Sequence, residues 1–452
     1  MYTMAGPGSI LDDRVALVAW FDRTRARSAR LFDMIDEAAY YSRPITLRHP
    51  IVFYEGHLPA FAVNVLIKKG LGRPGIDERL EQLFARGIDP HSQGAAEAVA
   101  GQTRGLWPSR REVKAYADAA SRAIRDVLLN ETLVRDDVAV LRDGEAVFTV
   151  IEHEAMHQET LLYMWHRLPY ALKGAGAPDG YSPWVSGRAP ERSAAKVPEG
   201  TATLGASREE IAFGWDNEFG RQTVNVPSFE IDSHSVTNAD WLQFMAAGGY
   251  ETESLWQPGD WNWIRTEGRT HPAFWLRQGD GFLWRGQFEE IELPLAWPVY
   301  VSHAEARAFA RWAGRALPTE PQYHRAAFGS PDGSERAFPW GDDPPVAPHG
   351  HFDFAEWDPA PAGSHPQGAS AWGVHDLMGN GWEWTSTVFA PFPDFAPMPS
   401  YPEYSADFFD GDHYVLKGAS PVTARELLRR SFRNWFRPQY PYVYAKFRTV
   451  SR

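Results

Sequence analysis

No cysteine occurs anywhere in the 452 residues. That excludes disulfides, Cys-ligated zinc, iron–sulfur clusters and cysteine nucleophiles, and leaves metal binding to His, Asp and Glu. Long apolar runs are missing too: no stretch of about 18 such residues occurs, so no transmembrane helix is expected. The opening residues, Met1 to Arg14, lack the basic start and apolar middle of a signal peptide, so the expected location is the cytoplasm. Positive charge is in short supply, with 45 Lys and Arg against 58 Asp and Glu and a net charge of −13. A chain this acidic offers no basic face to a phosphate backbone and is not drawn to anionic lipid, so neither nucleic acid nor membrane is an expected partner. Aromatic residues are plentiful, at 14% with 19 Trp. Such density suits loop-rich domains and sites that bind cations or flat rings. The length predicts two or three domains.

Apolar spacing predicts four long helices in the first third. They cover Leu11 to Ile35, Leu58 to Leu71, Ser109 to Leu129 and Glu145 to Arg167. Gly72-Arg73-Pro74 stops the second, and Ser109 with Glu112 three residues on reads as a capping box for the third. Four such helices with moderate connections predict an antiparallel bundle. A Gly-, Pro-, Ala- and Ser-rich stretch from Ala171 reads as a linker. Beyond it short apolar runs alternate with Gly, Pro and Asn clusters, as in a loop-rich α+β domain with short strands. Val301 to Ala313 is the clearest helix there.

The segment His153-Glu154-Ala155-Met156-His157 lies within the fourth predicted helix. Residues four apart share a helix face, so His153 and His157 can chelate one ion. The spelling is also that of HExxH zinc proteases, and spelling alone does not separate the two. In a bundle the facing helix supplies further ligands. His57, at the expected start of the second helix beside Gly56, is the candidate third ligand. Three imidazoles leave positions open for reactants, but suit Fe, Zn, Cu and Ni alike. Glu154 and Glu159 read as solvated helix-face charges or as hydrogen-bond partners of the ligands.

Those residues resemble a known pattern. Residues 1–170 resemble a DinB-like four-helix bundle, with a His after Gly and a later HxxxHxE helix. After a linker over 171–197, residues 198–452 resemble the formylglycine-generating-enzyme-like, C-type-lectin-related fold. The marks run through Pro198-Glu199-Gly200, Val236-Thr237-Asn238, Leu317-Pro318-Thr319-Glu320 and Phe338-Pro339-Trp340-Gly341. They continue in Asp376-Leu377-Met378-Gly379-Asn380-Gly381-Trp382-Glu383-Trp384, Val415-Leu416-Lys417-Gly418-Ala419-Ser420 and Arg433-Asn434-Trp435-Phe436. The fusion looks like the ergothioneine-type sulfoxide synthases. The resemblance implies Fe(II) on His57, His153 and His157, with hercynine (trimethylated histidine), a thiol or selenium donor and O2 as small-molecule partners. It places hercynine on Asn434 and Trp435. A quaternary ammonium cannot donate a hydrogen bond and favours aromatic faces, for which Trp384 is a further candidate. True formylglycine-generating activity relies on cysteine and is excluded.

The sequence departs from the branch that uses gamma-glutamylcysteine. Where that branch has Gln, this chain has Met156 and Phe61, both candidate pocket residues; where it has Asp after Asn-Trp, Phe436 stands, followed by Arg437, a candidate for donor recognition. Counted without gaps, Phe389 and Phe392 fall where the family has an active-site Tyr. These departures leave cysteine-using synthases and the selenoneine-synthase branch, which takes a selenosugar, and lean towards the latter. A zinc DinB-type thiol transferase and a non-catalytic small-ligand-binding protein are the alternatives from other classes.

Overall fold

Apolar residues at helical spacing become helices where the sequence also supplies a cap. The computed structural model describes residues 10–85, 105–174, 177–178 and 180–451. Helix α1 (Arg14–Asp33) starts at Asp13, whose side chain accepts the Ala16 N–H. Helix α2 (Ile51–Ala62) runs directly into π-helical Val63–Gly70, and a short α3 (Glu78–Leu83) follows. Helix α4 (Arg110–Asn130) is capped by Ser109, which accepts from Glu112 N–H as expected. Helix α5 spans Glu145–Arg167.

The predicted start of α2 at Leu58 is about two turns late, and His57 is mid-helix rather than at its beginning. The reason is burial: all twelve residues of α2 are buried, so no polar face marks its first turns. Helix α5 packs against α1 and α2, and α2 against α4. Trp165 Nε1 donates to the Leu31 carbonyl (2.8 Å) and Gln158 Nε2 to that of Thr24 (2.9 Å), fixing α5 on α1. No helix among the described residues is long and apolar enough to cross a membrane.

The chain forms two compact units. One runs to Gly180 and also takes in Met398–Pro402; the other comprises Tyr181–Pro397 and the chain from Glu403 on. The linker expected over 171–197 falls partly on residues 175, 176 and 179, outside the described ones. Much of the rest belongs to the second unit: Tyr181 Oη donates to Asp358, and the Trp184 carbonyl accepts from Trp297 Nε1 (2.8 Å).

In the second unit β1 (Ala194–Val197) and β2 (Gly200–Leu204) precede β3 (Gln222–Val226) and β4 (Phe229–Asp232). They pair antiparallel as β1 with β4 and β2 with β3. Then come β5 (Trp275–Gln278), β6 (Gly281–Arg285) and β7 (Glu290–Glu292), a meander. The main sheet is built from β8 (Gly381–Val388), β9 (Tyr414–Ala419), β10 (Asn434–Phe436) and β11 (Ala445–Lys446) in the order β10-β9-β8-β11. The helix His303–Trp312 is fixed by a reciprocal capping box between Ser302 and Glu305. One core gathers Val197, Ile231, Tyr323, Phe328, Leu377 and Val450. A fully buried ion cluster ties β8 to the chain end: Glu383 meets Lys446 Nζ (2.8 Å) and Arg448. Burial pushes the Glu383 carboxyl up, but Arg448 and Lys446 outweigh it and hold it below its ordinary range.

Candidate metal centre

Helix α5 places His153 and His157 one turn apart on the same face, and α2 brings His57 to them. On its other side α2 admits Phe84 closely at Gly56. A Cβ there would lie 2.3–2.5 Å from the Phe84 ring, so only glycine admits Phe84 against α2. Phe84 in turn orients His57: its carbonyl oxygen lies 2.7 Å from Nδ1. The ring donates there as Nδ1–H and leaves Nε2 with its lone pair. That Nε2 is buried with no hydrogen-bond partner.

One ring nitrogen from each of the three histidines lies within 4.8 Å of the others. His153 Nε2 and His157 Nε2 are 3.2 Å apart. Imidazole nitrogens bound to one ion at about 2.1 Å, near a right angle, fall about 3 Å apart. Burial lowers all three. His57 is brought to about 4, with the Phe84 carbonyl opposing the shift in part. His153 is pushed well below its ordinary value by burial and its two histidine neighbours, and His157 by burial, His57 and Arg48. At neutral pH the site is therefore three uncharged imidazoles with converging lone pairs. That donor set fits a divalent transition metal and suits a cation poorly satisfied by water alone.

Aromatic rings enclose the cluster. Phe53 stacks on His57 at 4.9 Å and Phe61 on His153 at 3.6 Å. Tyr54 lies 5.8 Å from His157. Met156, beside His157 on α5, is partly buried. The fourth ring comes from far along the chain. Met398–Pro402 packs with the helices, and Tyr401 stands edge-on to His153 (5.9 Å) and to Phe61 (5.1 Å). Ser400 anchors this segment: its N–H donates to Glu145 (2.8 Å), its hydroxyl meets that of Thr149 (3.0 Å), and its carbonyl accepts from Lys69 (3.4 Å). Glu154 and Glu159 are buried, not solvated. Glu154 pairs with Arg25 at 2.8 Å, and so braces the helix that carries the ligands.

Asn434, Trp435, Arg437 and Trp384 lie in the second unit. Asn434 and Trp435 open β10, and the residue before them is held hard: Arg433 is buried, pairs with Glu320 (3.1 Å) and lies over the rings of Phe389 and Phe392. Phe389 stacks on Trp435 at 4.3 Å, while Tyr404 (5.2 Å) and Phe408 (5.6 Å) flank that indole. Trp435 keeps partial exposure; Trp384 is fully enclosed and donates its indole N–H to the Val301 carbonyl. Arg437 lies 3.4 Å from Asp410 and 3.8 Å from Asp412.

A family model described as the sulfatase-modifying factor enzyme 1-like domain matches residues 185–452. Hercynine oxygenase of Mycolicibacterium smegmatis is 34% identical, over 92% of this chain and 93% of that protein. Its namesake in Mycobacterium tuberculosis is 33% identical, over 94% and 96%. Ergothioneine biosynthesis protein 1 of Schizosaccharomyces pombe is 26% identical over 92% of this chain, which spans 53% of that longer protein. The chain belongs to the ergothioneine-type sulfoxide synthase family. Phe389 packs between Trp435 and Arg433, and two tyrosines stand beside the histidines: Tyr54, 5.8 Å from His157, and, from outside the helices and not singled out by the sequence, Tyr401, 5.9 Å from His153. Its signal in the sequence is slight: one Tyr between Ser400 and Pro402, in a proline-rich loop whose length defeats gap-free counting.

Proposed function

We propose that this chain uses iron(II) and O2 to join a selenium or sulfur donor to the imidazole carbon of hercynine, in selenoneine- or ergothioneine-type biosynthesis. The observation that carries the reading is the convergence of His57, His153 and His157 as three neutral imidazoles, in a family whose relatives are named for hercynine oxygenation. When bound, iron(II) supplies the electrons that start O2 reduction and the open positions on which two small reactants meet. In the overall change hercynine loses C–H and the donor loses Se–H or S–H, and the new C–Se or C–S bond forms. O2 takes up four electrons; one oxygen leaves as water and the other is retained on the chalcogen.

The protein's own groups divide the remaining work. Neutral, buried imidazoles leave the ion's charge uncompensated, which favours the donor as its anion. Tyr401, whose ring stands edge-on to His153, is the phenol assigned as proton donor to the reacting oxygen. Asn434 orients the hercynine carboxylate or ring, and Trp435, with Tyr404 and Phe408 about it, takes the trimethylammonium group. Arg437, in the second unit, is the residue assigned to donor recognition, and Met156, on α5, is assigned to lining the pocket on the helical side. Phe61, Met156 and Phe436 replace three polar groups of the gamma-glutamylcysteine branch, which favours a donor without that dipeptide's charges, namely a selenosugar.

The test is anaerobic loading with iron(II), then O2 with hercynine and one donor at a time, read by mass spectrometry. Coupled product with the selenosugar alone is the expected result. Product with cysteine or gamma-glutamylcysteine alone makes the chain an ergothioneine-type synthase with a diverged pocket. No product from any donor, with iron bound, refutes the hercynine reading.

A further inference from the structure

This inference rests on the reading of the three histidines as ligands of one ion. A ligating imidazole is normally held by a hydrogen bond from its second nitrogen, which fixes both tautomer and ring direction. His57 obeys the rule through the Phe84 carbonyl. His153 does not. Its Nε2 faces His157, and its Nδ1 is buried with no hydrogen-bond partner. The outer torsion of a histidine is broad and soft, so without that bond only packing stops the ring from turning.

His157 (4.5 Å), His57 (5.1 Å) and Tyr401 (5.9 Å) meet the His153 ring edge-on, and the face-to-face packing comes from Phe61. Phe61 lies flat on the His153 imidazole, with centroids 3.6 Å apart and 12° between the planes. The corresponding stack of Phe53 on His57 is looser, at 4.9 Å and 18°. Phe61 is itself fixed, being 6% exposed on a helix whose residues are all buried. It stands one turn beyond His57, so the same face of α2 carries a ligand and the ring that steadies another ligand. Its edge also meets Tyr401 at 5.1 Å.

We infer that Phe61 is a positioning residue of the metal centre: its ring does for His153 what a backbone carbonyl does for His57, and it sets the approach of Tyr401. A flat apolar face orients the ligand without offering a hydrogen bond that would compete for either ring nitrogen. Loss of the flat ring, even at constant volume, therefore frees the direction of the His153 lone pair.

The experiment titrates the full-length, metal-free protein with cobalt(II) under anaerobic conditions, following heat and the visible d–d spectrum. Wild type is compared with Phe61→Met, Phe61→Leu, Phe61→Tyr and Phe53→Leu, and each metal-free protein is also melted. Met and Leu keep most of the apolar volume without a flat ring, and Met keeps the proposal testable if the Leu variant does not fold. The expected loss of cobalt affinity for Phe61→Met and Phe61→Leu is about ten- to hundredfold, the size seen when a ligand's outer support is removed, with an altered d–d spectrum. Phe61→Tyr keeps affinity and spectrum near wild type. Phe53→Leu loses less than either ring-deleting variant at Phe61, because the Phe84 carbonyl still holds His57. Wild-type affinity and spectrum in Phe61→Met overturn the proposal, including when its melting temperature falls, since that pattern assigns Phe61 to core packing alone. Equal losses at Phe53 and Phe61 overturn it as well. A wild-type protein that takes up no cobalt refutes the metal reading itself, and the proposal with it.

Discussion

A histidine buried without charge makes a fold sensitive to acid. His57 titrates at about 4 in the folded chain, against an ordinary value of 6.5. As pH falls the unfolded chain takes up the proton first. The stability tied to His57 is therefore complete above pH ~6.5 and is lost progressively as pH falls towards ~4. At pH ~5 the loss from this one group is about 2 kcal/mol. Urea unfolding of the metal-free protein at pH 7.5 and 5.0 checks it. His57→Gln is expected to lose about 2 kcal/mol less than wild type between the two; an identical decrement in both would show that His57 is not the group responsible. The pair His153 and His157 was legible in sequence because the helical period alone places them on one face, whereas His57 followed only from its Gly-His pattern and the family resemblance. Tyr401 was not legible, because no local period links a proline-rich loop to a distant helix. Nor was the burial of Glu154, since its pairing with Arg25 on α1 is a tertiary event.

At the scale of elements, what could be read depended on contrast between faces. The helix His303–Trp312 is bounded by its Ser302–Glu305 capping box, and α5, though almost wholly buried, by Glu145 in its first turn and by Arg167 and Leu168-Pro169 at its end. Helix α2 is buried all round, so its first two turns gave no periodic signal. The same burial makes its glycine consequential. In Gly56→Ala the added methyl group must displace the Phe84 ring, which is packed between Phe53 and Trp107 at 6.3 and 6.0 Å. Overpacking of this kind costs about 1–3 kcal/mol. It also shifts the carbonyl that orients His57, so cobalt affinity is expected to fall together with the melting temperature. A lower melting temperature with unchanged affinity would mean that Phe84 moves its ring and leaves its carbonyl in place.

On the scale of the whole molecule, a division of the chain into a bundle, a linker and a second domain describes the sequence order but not the connectivity. The chain leaves the second unit at Pro397, places five residues with the helices, and returns at Glu403. Residue composition marks this loop only as proline-rich, which is why its destination was not legible. The destination matters for chemistry, because it makes Tyr401 depend on Ser400, and Ser400 depend on Glu145 and Thr149 at the start of α5. The ligands depend on neither, since they are carried by α2 and α5. Two consequences separate cleanly. Tyr401→Phe removes the proton and is expected to lower turnover about 10²-fold, the lower end for a lost general acid, with cobalt affinity unchanged. The double variant Glu145→Ala/Thr149→Val keeps the phenol but releases its tether, and is expected to lower turnover in the same direction, by less, again with cobalt affinity unchanged. Measured with saturating hercynine and donor, full turnover in the double variant beside a deficient Tyr401→Phe would show that Phe61 and His153 position the phenol unaided. Full turnover in both would remove Tyr401 from the proton path and return that role to a group on the helices, of which Tyr54, 5.8 Å from His157, stands nearest in the geometry described.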